Sequence, residues 1–556
     1  MSHAPSRPDA APPDPPAEAE NAPAPAPAPA ARRVRARALL LALALVVAAL
    51  PGLLFVGDPF GRDQGVYAYI GWRWISGDVP YLGGGIEHKA PLPFAAYGLA
   101  LLVFGHSTAA VRLLAWLATL AAAFGVAGIG ARLMGRPVWG TAAGAVYLLF
   151  IAVSGLSAYW FGAQTEAFTE PLVVGAVLLA LAAGRRDARD PGGGTGLARW
   201  AAAGAVLGIA TLGKPIPILV APALLLAAPR WWRPRRALGL AAGFIVPWAL
   251  TAAYMASRGA AGAFFDSVFV MNLAYGGEGV AQAPRVLGLL AGAQDRVLSL
   301  RLLLLAAAGL WACRRRLGEP PVRLLVAWTM AAYAGLVLQG RLWPYHFWPT
   351  MAPVALLWAL GLRDLARVAT AARSRAGARV LAAATILAGL SGWLDLPWRE
   401  LDLRCRHALG GMSEARFLAH FRPRGNQDVD PAETLAAAAF AERSLAPDQT
   451  LLVWGFEPAV NFLARRRSPT RFIYDYFLDA PAVPEPVRRA YWGEFWQDIE
   501  RTPPDMIAVV HNDANPIEQL DSAAQLEQEP LLRDYVRAHY RPEARIGDFE
   551  FLRRVD

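Results

Sequence analysis

Lysine is almost missing from this chain. Of 54 basic residues in 556, only Lys89 and Lys214 are lysines. Carboxylates are scarce over most of the length: 27 of the 44 Asp and Glu lie from Asp395 onward, and only 13 between Ala38 and Leu394. Soluble domains carry about a quarter charged residues, so a stretch that long with so few acids is not a solvated surface. Two cysteines, Cys313 and Cys405, exclude a disulfide scaffold, and with eight histidines there is no Cys- or His-rich ligand set for a structural zinc or other transition metal. Collagen, a disordered chain and a nucleic-acid binder are poor fits too. The net charge of +10 suits nucleic acid at first sight. Its arginine clusters, however, sit between apolar runs, where membrane orientation signals belong.

What is present is hydrophobic: 55% of residues are apolar and 18% charged. The composition predicts a mainly α, polytopic membrane protein with a C-terminal soluble α/β domain. Residues 1–37 read as a disordered Pro/Ala-rich cytoplasmic tail. Apolar runs at about 38–56, 108–131, 137–156, 168–184, 198–213, 215–228, 237–256, 297–313, 322–339, 347–362 and 378–394 predict about eleven transmembrane helices within 38–394. Arginines after the even-numbered runs put those loops and the N-terminus in the cytoplasm, at the cytoplasmic (inner) membrane. An odd number of spans places residues 395–556 outside. The long outer loop 57–107 is rich in Tyr and Trp and suits helices lying along the membrane interface. In the last domain, Thr450–Trp454 and Met506–Val510 read as buried strands, and Ala432–Ser444 and Pro458–Arg465 as helices.

The rarity of lysine makes the two retained ones informative. An ammonium is a compact point charge suited to a phosphate, whereas a guanidinium is a planar fork. Lys89 stands in Glu87-His88-Lys89-Ala90-Pro91, in the outer loop, and Lys214 in Leu212-Gly213-Lys214-Pro215 between two apolar runs. The bland alternative is a pair of snorkelling interfacial lysines. Asp63 follows the first span in Gly61-Arg62-Asp63-Gln64, and Glu166 and Glu170, four apart, share one face if their segment is helical. Acids entering a span are functional by default; solvated loop and cap roles are the competing account. A carboxylate can take a proton from a hydroxyl nucleophile while cations stabilise a departing phosphate. The same oxygens suit a divalent cation bridging to phosphate. His346, among the aromatics of Trp343–Phe347, is a secondary candidate.

These residues carry a resemblance. Asp63-Gln64-Gly65-Val66-Tyr67, then Gly77-Asp78-Val79-Pro80-Tyr81 and His88-Lys89-Ala90-Pro91-Leu92, resemble the first outer loop of bacterial GT-C glycosyltransferases. These enzymes are similar to protein O-mannosyltransferases and lipid A aminoarabinose transferases. Thr169-Glu170-Pro171, Lys214, Tyr345-His346-Phe347 and Val453-Trp454-Gly455 look familiar in the same order, so the resemblance spans most of 38–510. It implies inverting transfer of a sugar from a polyprenyl-phosphate-linked donor to a glycan, lipid or protein hydroxyl at the outer face. Asp63 corresponds to the catalytic carboxylate, Glu87 and Glu170 to supporting acids, and Lys89 to a donor-phosphate contact. His88, Arg62, Glu166, Lys214 and His346 are further binding candidates. Gln64 replaces the family's usual second acid, which weakens a metal held by an acidic pair, and Ala90 replaces a proline. The alternative class is a transporter or flippase for lipid-linked sugars, and a non-catalytic envelope scaffold is a third. A transporter does not naturally explain a long outer loop bearing Asp63, Glu87 and Lys89, nor a folded outer domain; loss of phenotype on truncation but not on Asp63 or Lys89 substitution would point to the scaffold.

Overall fold

The computed structural model describes residues 29–189, 196–423, 430–479, 483–514 and 520–555. The tail expected at residues 1–37 therefore lies mostly outside the described residues. Every predicted apolar run falls on helix. Among the described residues, seven helices are long and apolar enough to cross a membrane: Ala36–Phe55, Thr108–Met134, Pro137–Leu156, Thr165–Arg189, Pro234–Ser257, Pro320–Leu338 and Ala376–Asp395. An eighth span results if Ala281–Val297 and Leu300–Cys313, which meet at 111°, cross as one. The protein is thus multi-pass. Gly196–Thr211 and Ile216–Leu225 are shorter apolar pieces, the second interrupted by Pro217 and Pro222.

The helices important for the site are α1 (Pro29–Ala49), α2 (Arg62–Ile75), α3 (Leu92–Phe104), α4 (Thr108–Met134), α5 (Pro137–Ser157), α6 (Thr165–Arg189) and α7 (Gly196–Thr211). Small residues let them pack backbone against backbone, as membrane helices do. A Cβ on Gly204 of α7 would stand 2.0 Å from the Leu240 carbonyl oxygen of helix Pro234–Ser257, and one on Gly243 would stand 1.9 Å from that of Ala201.

From Trp398 the chain forms a cap of short helices around a four-stranded sheet. Strands β1 (Leu451–Trp454) and β2 (Met506–Val510) are parallel, and both are fully buried, as continuous apolar runs predict. The sheet also contains a hairpin that the sequence reading did not include, β3 (Tyr540–Ile546) and β4 (Phe549–Arg554), giving the order β1-β2-β4-β3. β3 alternates poorly and contains Pro542, which suits an edge position.

The segment between α1 and α4 departs from expectation. Its aromatics do not spread along an interface: Tyr67, Tyr69 and Tyr81 are fully buried, and the cap packs directly on α2. Gly65 permits this, since a Cβ there would meet the Ala459 backbone nitrogen at 2.8 Å. The Tyr69 hydroxyl accepts from the Ser468 amide at 2.8 Å, and the Ile86 amide donates to the Arg471 carbonyl at 2.8 Å.

Candidate functional site

The start of α2 is held from behind. The Gln64 Oε1 accepts from the Gly61 amide, while its Nε2 donates to the carbonyls of Trp160 (2.9 Å) and Gly162. The buried amide is therefore consumed in anchoring the helix to the segment before α6. Its orientation, with donors toward carbonyls, gives the reason an acid does not fit there. Asp63 stands in the first turn, where the helix dipole favours a negative charge, and the Tyr345 hydroxyl donates to its Oδ2 at 3.3 Å. Arg62 turns away from it: its Nε reaches Glu457 Oε1 at 3.2 Å and its Nη2 the Asp513 carbonyl at 2.9 Å. Through these two contacts Arg62 joins α2 to the cap.

The end of the loop is organised by Glu87, which is 3% exposed. One oxygen takes Lys89 Nζ at 3.3 Å, His88 Nδ1 at 2.7 Å and the His88 amide at 3.0 Å; the other takes the Tyr474 hydroxyl of the cap at 2.6 Å. Burial opposes ionisation of Glu87, but His88, Lys89 and Tyr474 outweigh it and hold the carboxyl well below its ordinary range. Burial also lowers His88, against a partial pull from Glu87. A neutral ring fits the contacts, with Nδ1–H on Glu87 and Nε2 accepting from Lys89 at 3.2 Å. Lys89 Nζ also lies 5.5 Å from the centre of the Tyr67 ring.

Glu166 and Glu170 share one buried face of α6, as their spacing predicts. Lys214 pairs with Glu166 and reaches Gln339 Oε1 at 3.4 Å. Its Nζ lies 4.9 Å from the centre of the Tyr345 ring, so one tyrosine touches both Asp63 and Lys214. Glu170 lies one turn deeper, and its Oε1 has no partner. It lines an apolar cleft with Glu166, Lys214, Ile216, Trp328 and Gln339. His346 donates from Nδ1 to the Arg341 carbonyl at 2.8 Å. Burial, then the charge of Lys214, lowers it well below the usual imidazole range.

The fold therefore gathers Asp63, Glu87, His88, Lys89, Glu166, Glu170, Lys214 and His346 around Tyr345 and Tyr67. Sequence reasoning passed over Tyr345 as a contributor in its own right, as it did Tyr474, Gln339 and Asn272, whose Nδ2 donates to the His88 carbonyl. Tyr345 had a signal, its place beside His346; Tyr474, 387 residues from Glu87 in the chain, had none. Among the described residues, no group of three or more His, Cys, Asp or Glu could hold a metal ion. Glu87 is engaged with Lys89 and Glu166 with Lys214, and Gln64 is not a ligand. The divalent cation that the sequence left open is not established by this arrangement.

No family model matches this chain, and no curated protein matches it by sequence. Solved structures do. ArnT from Cupriavidus metallidurans bound to undecaprenyl phosphate superposes with a TM-score of 0.54 at 17% identity, covering 92% of this chain and 97% of that one. Its apo state gives 0.55 at 16% identity, covering 94% and 98%. A weaker likeness, 0.47 at 12% identity over 85% and 69%, is to the oligosaccharyltransferase of Archaeoglobus fulgidus. The expected mainly α, polytopic architecture with a C-terminal α/β domain is thereby borne out: over nearly its whole length, this chain has the fold of ArnT.

Proposed function

We propose that this protein is an integral-membrane glycosyltransferase that moves a sugar from a polyprenyl-phosphate-linked donor to an acceptor hydroxyl. The observation that carries the reading is the cluster itself. A partly exposed carboxylate, Asp63, and Lys214, which lines the apolar cleft, meet on Tyr345, and the chain's other lysine, Lys89, lies over Tyr67. Asp63 accepts the proton of the acceptor hydroxyl, whose oxygen forms the new bond to the anomeric carbon. The bond from that carbon to the phosphate oxygen breaks, and the electron pair leaves with the phosphate. Lys89 and Lys214 stabilise the charge that develops there. Attack opposite the leaving group gives inversion, and a hexose or pentose is the expected sugar. The cleft beside Glu170 receives the first isoprene units. No step is routed through a metal. The reaction is placed at the outer face of the cytoplasmic membrane, with the N-terminus inside and the cap outside. This arrangement is supported by the arginine distribution between the spans. The likeness to ArnT bound to undecaprenyl phosphate supports the donor class.

The test is mass spectrometry of envelope lipids and glycans from a deletion strain complemented with wild type or Asp63→Asn. Loss of one glycosylated species, restored by wild type only, is the expected result, and the missing mass identifies the sugar. Restoration by Asp63→Asn in correctly inserted protein overturns the reading and favours transport of a lipid-linked sugar.

A further inference from the structure

A second cleft, open to the surface, lies at the cap end of α1, α4 and α5. Phe55, Trp116, Leu148, Ile151 and Trp348 line it, and Arg112 is its one charged lining residue among those described. Arg112 is 3% exposed. Its Nη2 donates to the carbonyls of Pro59 and Tyr159, the latter at 3.3 Å, but among the described residues Nε and Nη1 have no hydrogen-bond partner. The charge of Asp58 reaches Arg112, but its oxygens are hydrogen-bonded by Arg404, at 3.0 Å from Nε and 3.0 Å from Nη2. Two buried N–H groups of a cation are thus left without an acceptor, which is costly unless one meets them.

The shape of the cleft indicates which anion. Along α4 it runs from Arg112 past Ala115 and Trp116 to Thr119, a rise of about 10 Å, and along α5 from Gly155 back to Leu148. Leu50 and Leu53, in the turn just after α1, and Leu117 on α4 are exposed. A free inorganic anion has no use for such an apolar slot; a headgroup with a chain attached does. The segment Trp160–Ala163 separates this cleft from the Asp63 cluster. It binds Gln64 through the Trp160 and Gly162 carbonyls, while a Cβ on Gly162 would stand 2.8 Å from Arg112 Nη1.

We propose that this cleft binds an anionic lipid, with its phosphate on the idle N–H groups of Arg112 and one acyl chain laid between α4 and α5. The site is distinct from the lysine cluster and does not depend on the transfer reading. The experiment uses the full-length protein in nanodiscs made from equal phosphatidylglycerol and phosphatidylcholine, followed by detergent release and native mass spectrometry of retained lipid. Wild type is expected to keep one phosphatidylglycerol in preference to phosphatidylcholine. Arg112→Met should lower that retention about tenfold, the effect of losing a charge-assisted contact. Ala152→Phe, which blocks the chain without touching the cation, should lower it as well, and Lys89→Met should not. Equal retention of both lipids by wild type, or retention lost in Lys89→Met and kept in Ala152→Phe, overturns the proposal. If Arg112→Met does not fold, the headgroup preference of wild type and the Ala152→Phe result decide it.

Discussion

At the scale of single residues, the site is a set of mutually neutralising pairs arranged around tyrosines. Glu166 is buried and Lys214 is 14% exposed. Replacing Lys214 with Met leaves Glu166 without a cation and should destabilise the protein by about 3–5 kcal/mol. The double variant Lys214→Met/Glu166→Gln should recover most of that stability in thermal unfolding without recovering transfer activity. A structural ion pair would recover both. Glu87 gives a pH prediction with a definite sign. Its folded carboxyl sits below its ordinary value of 4.5, so its contribution to stability is complete above that pH and is lost as the pH falls below it. The melting temperature of wild type should therefore drop more steeply below about pH 4.5 than that of Glu87→Gln. Much of this cluster could be read from the sequence, because a chain that elsewhere uses arginine keeps lysine at only two positions. Tyr474 could not, since an aromatic in a buried segment carries no mark of the carboxylate that it will meet.

At the scale of elements, helices were legible wherever apolar residues run on, and harder to read where they bend. The run at 297–313 continues across a 111° turn from the helix before it, and hydropathy records length but not direction. The strands β1 and β2 announced themselves as buried apolar runs, whereas β3, with Arg541, Pro542, Glu543 and Arg545, reads like a loop. Packing between α2 and the cap depends on Gly65, whose absent side chain lets Ala459 approach. Gly65→Val should lift helix Ala459–Ala464 off α2. Limited proteolysis should then cut near residue 395 several-fold faster than in wild type, and the transmembrane part should remain intact. An unchanged cleavage rate would show that the close approach is not needed for docking.

At the scale of the molecule, the cap and the loop before α3 form one object. Arg62 to Glu457, Tyr69 to Ser468, Ile86 to Arg471 and Glu87 to Tyr474 all bridge segments that lie more than 350 residues apart in the chain. The sequence showed two regions of different composition, and composition alone could not reveal how closely they interlock. Tyr474→Phe removes only the hydroxyl that holds Glu87. It is expected to lower kcat while leaving the protein folded, and to shift the acid limb of the pH–rate profile upward, because Glu87 then ionises less readily. An unchanged pH profile would assign Tyr474 to packing alone. The strand order has a consequence in time. β4 lies between β2 and β3 in the sheet, yet of the four strands it is the last to leave the ribosome. Until it arrives, β2 has an open edge, and the platform carrying Tyr474 and Glu457 is unfinished. Asp63 and Lys89 precede it by more than 450 residues, so a chain already threaded through the bilayer meets its finished platform only once β4 has been made.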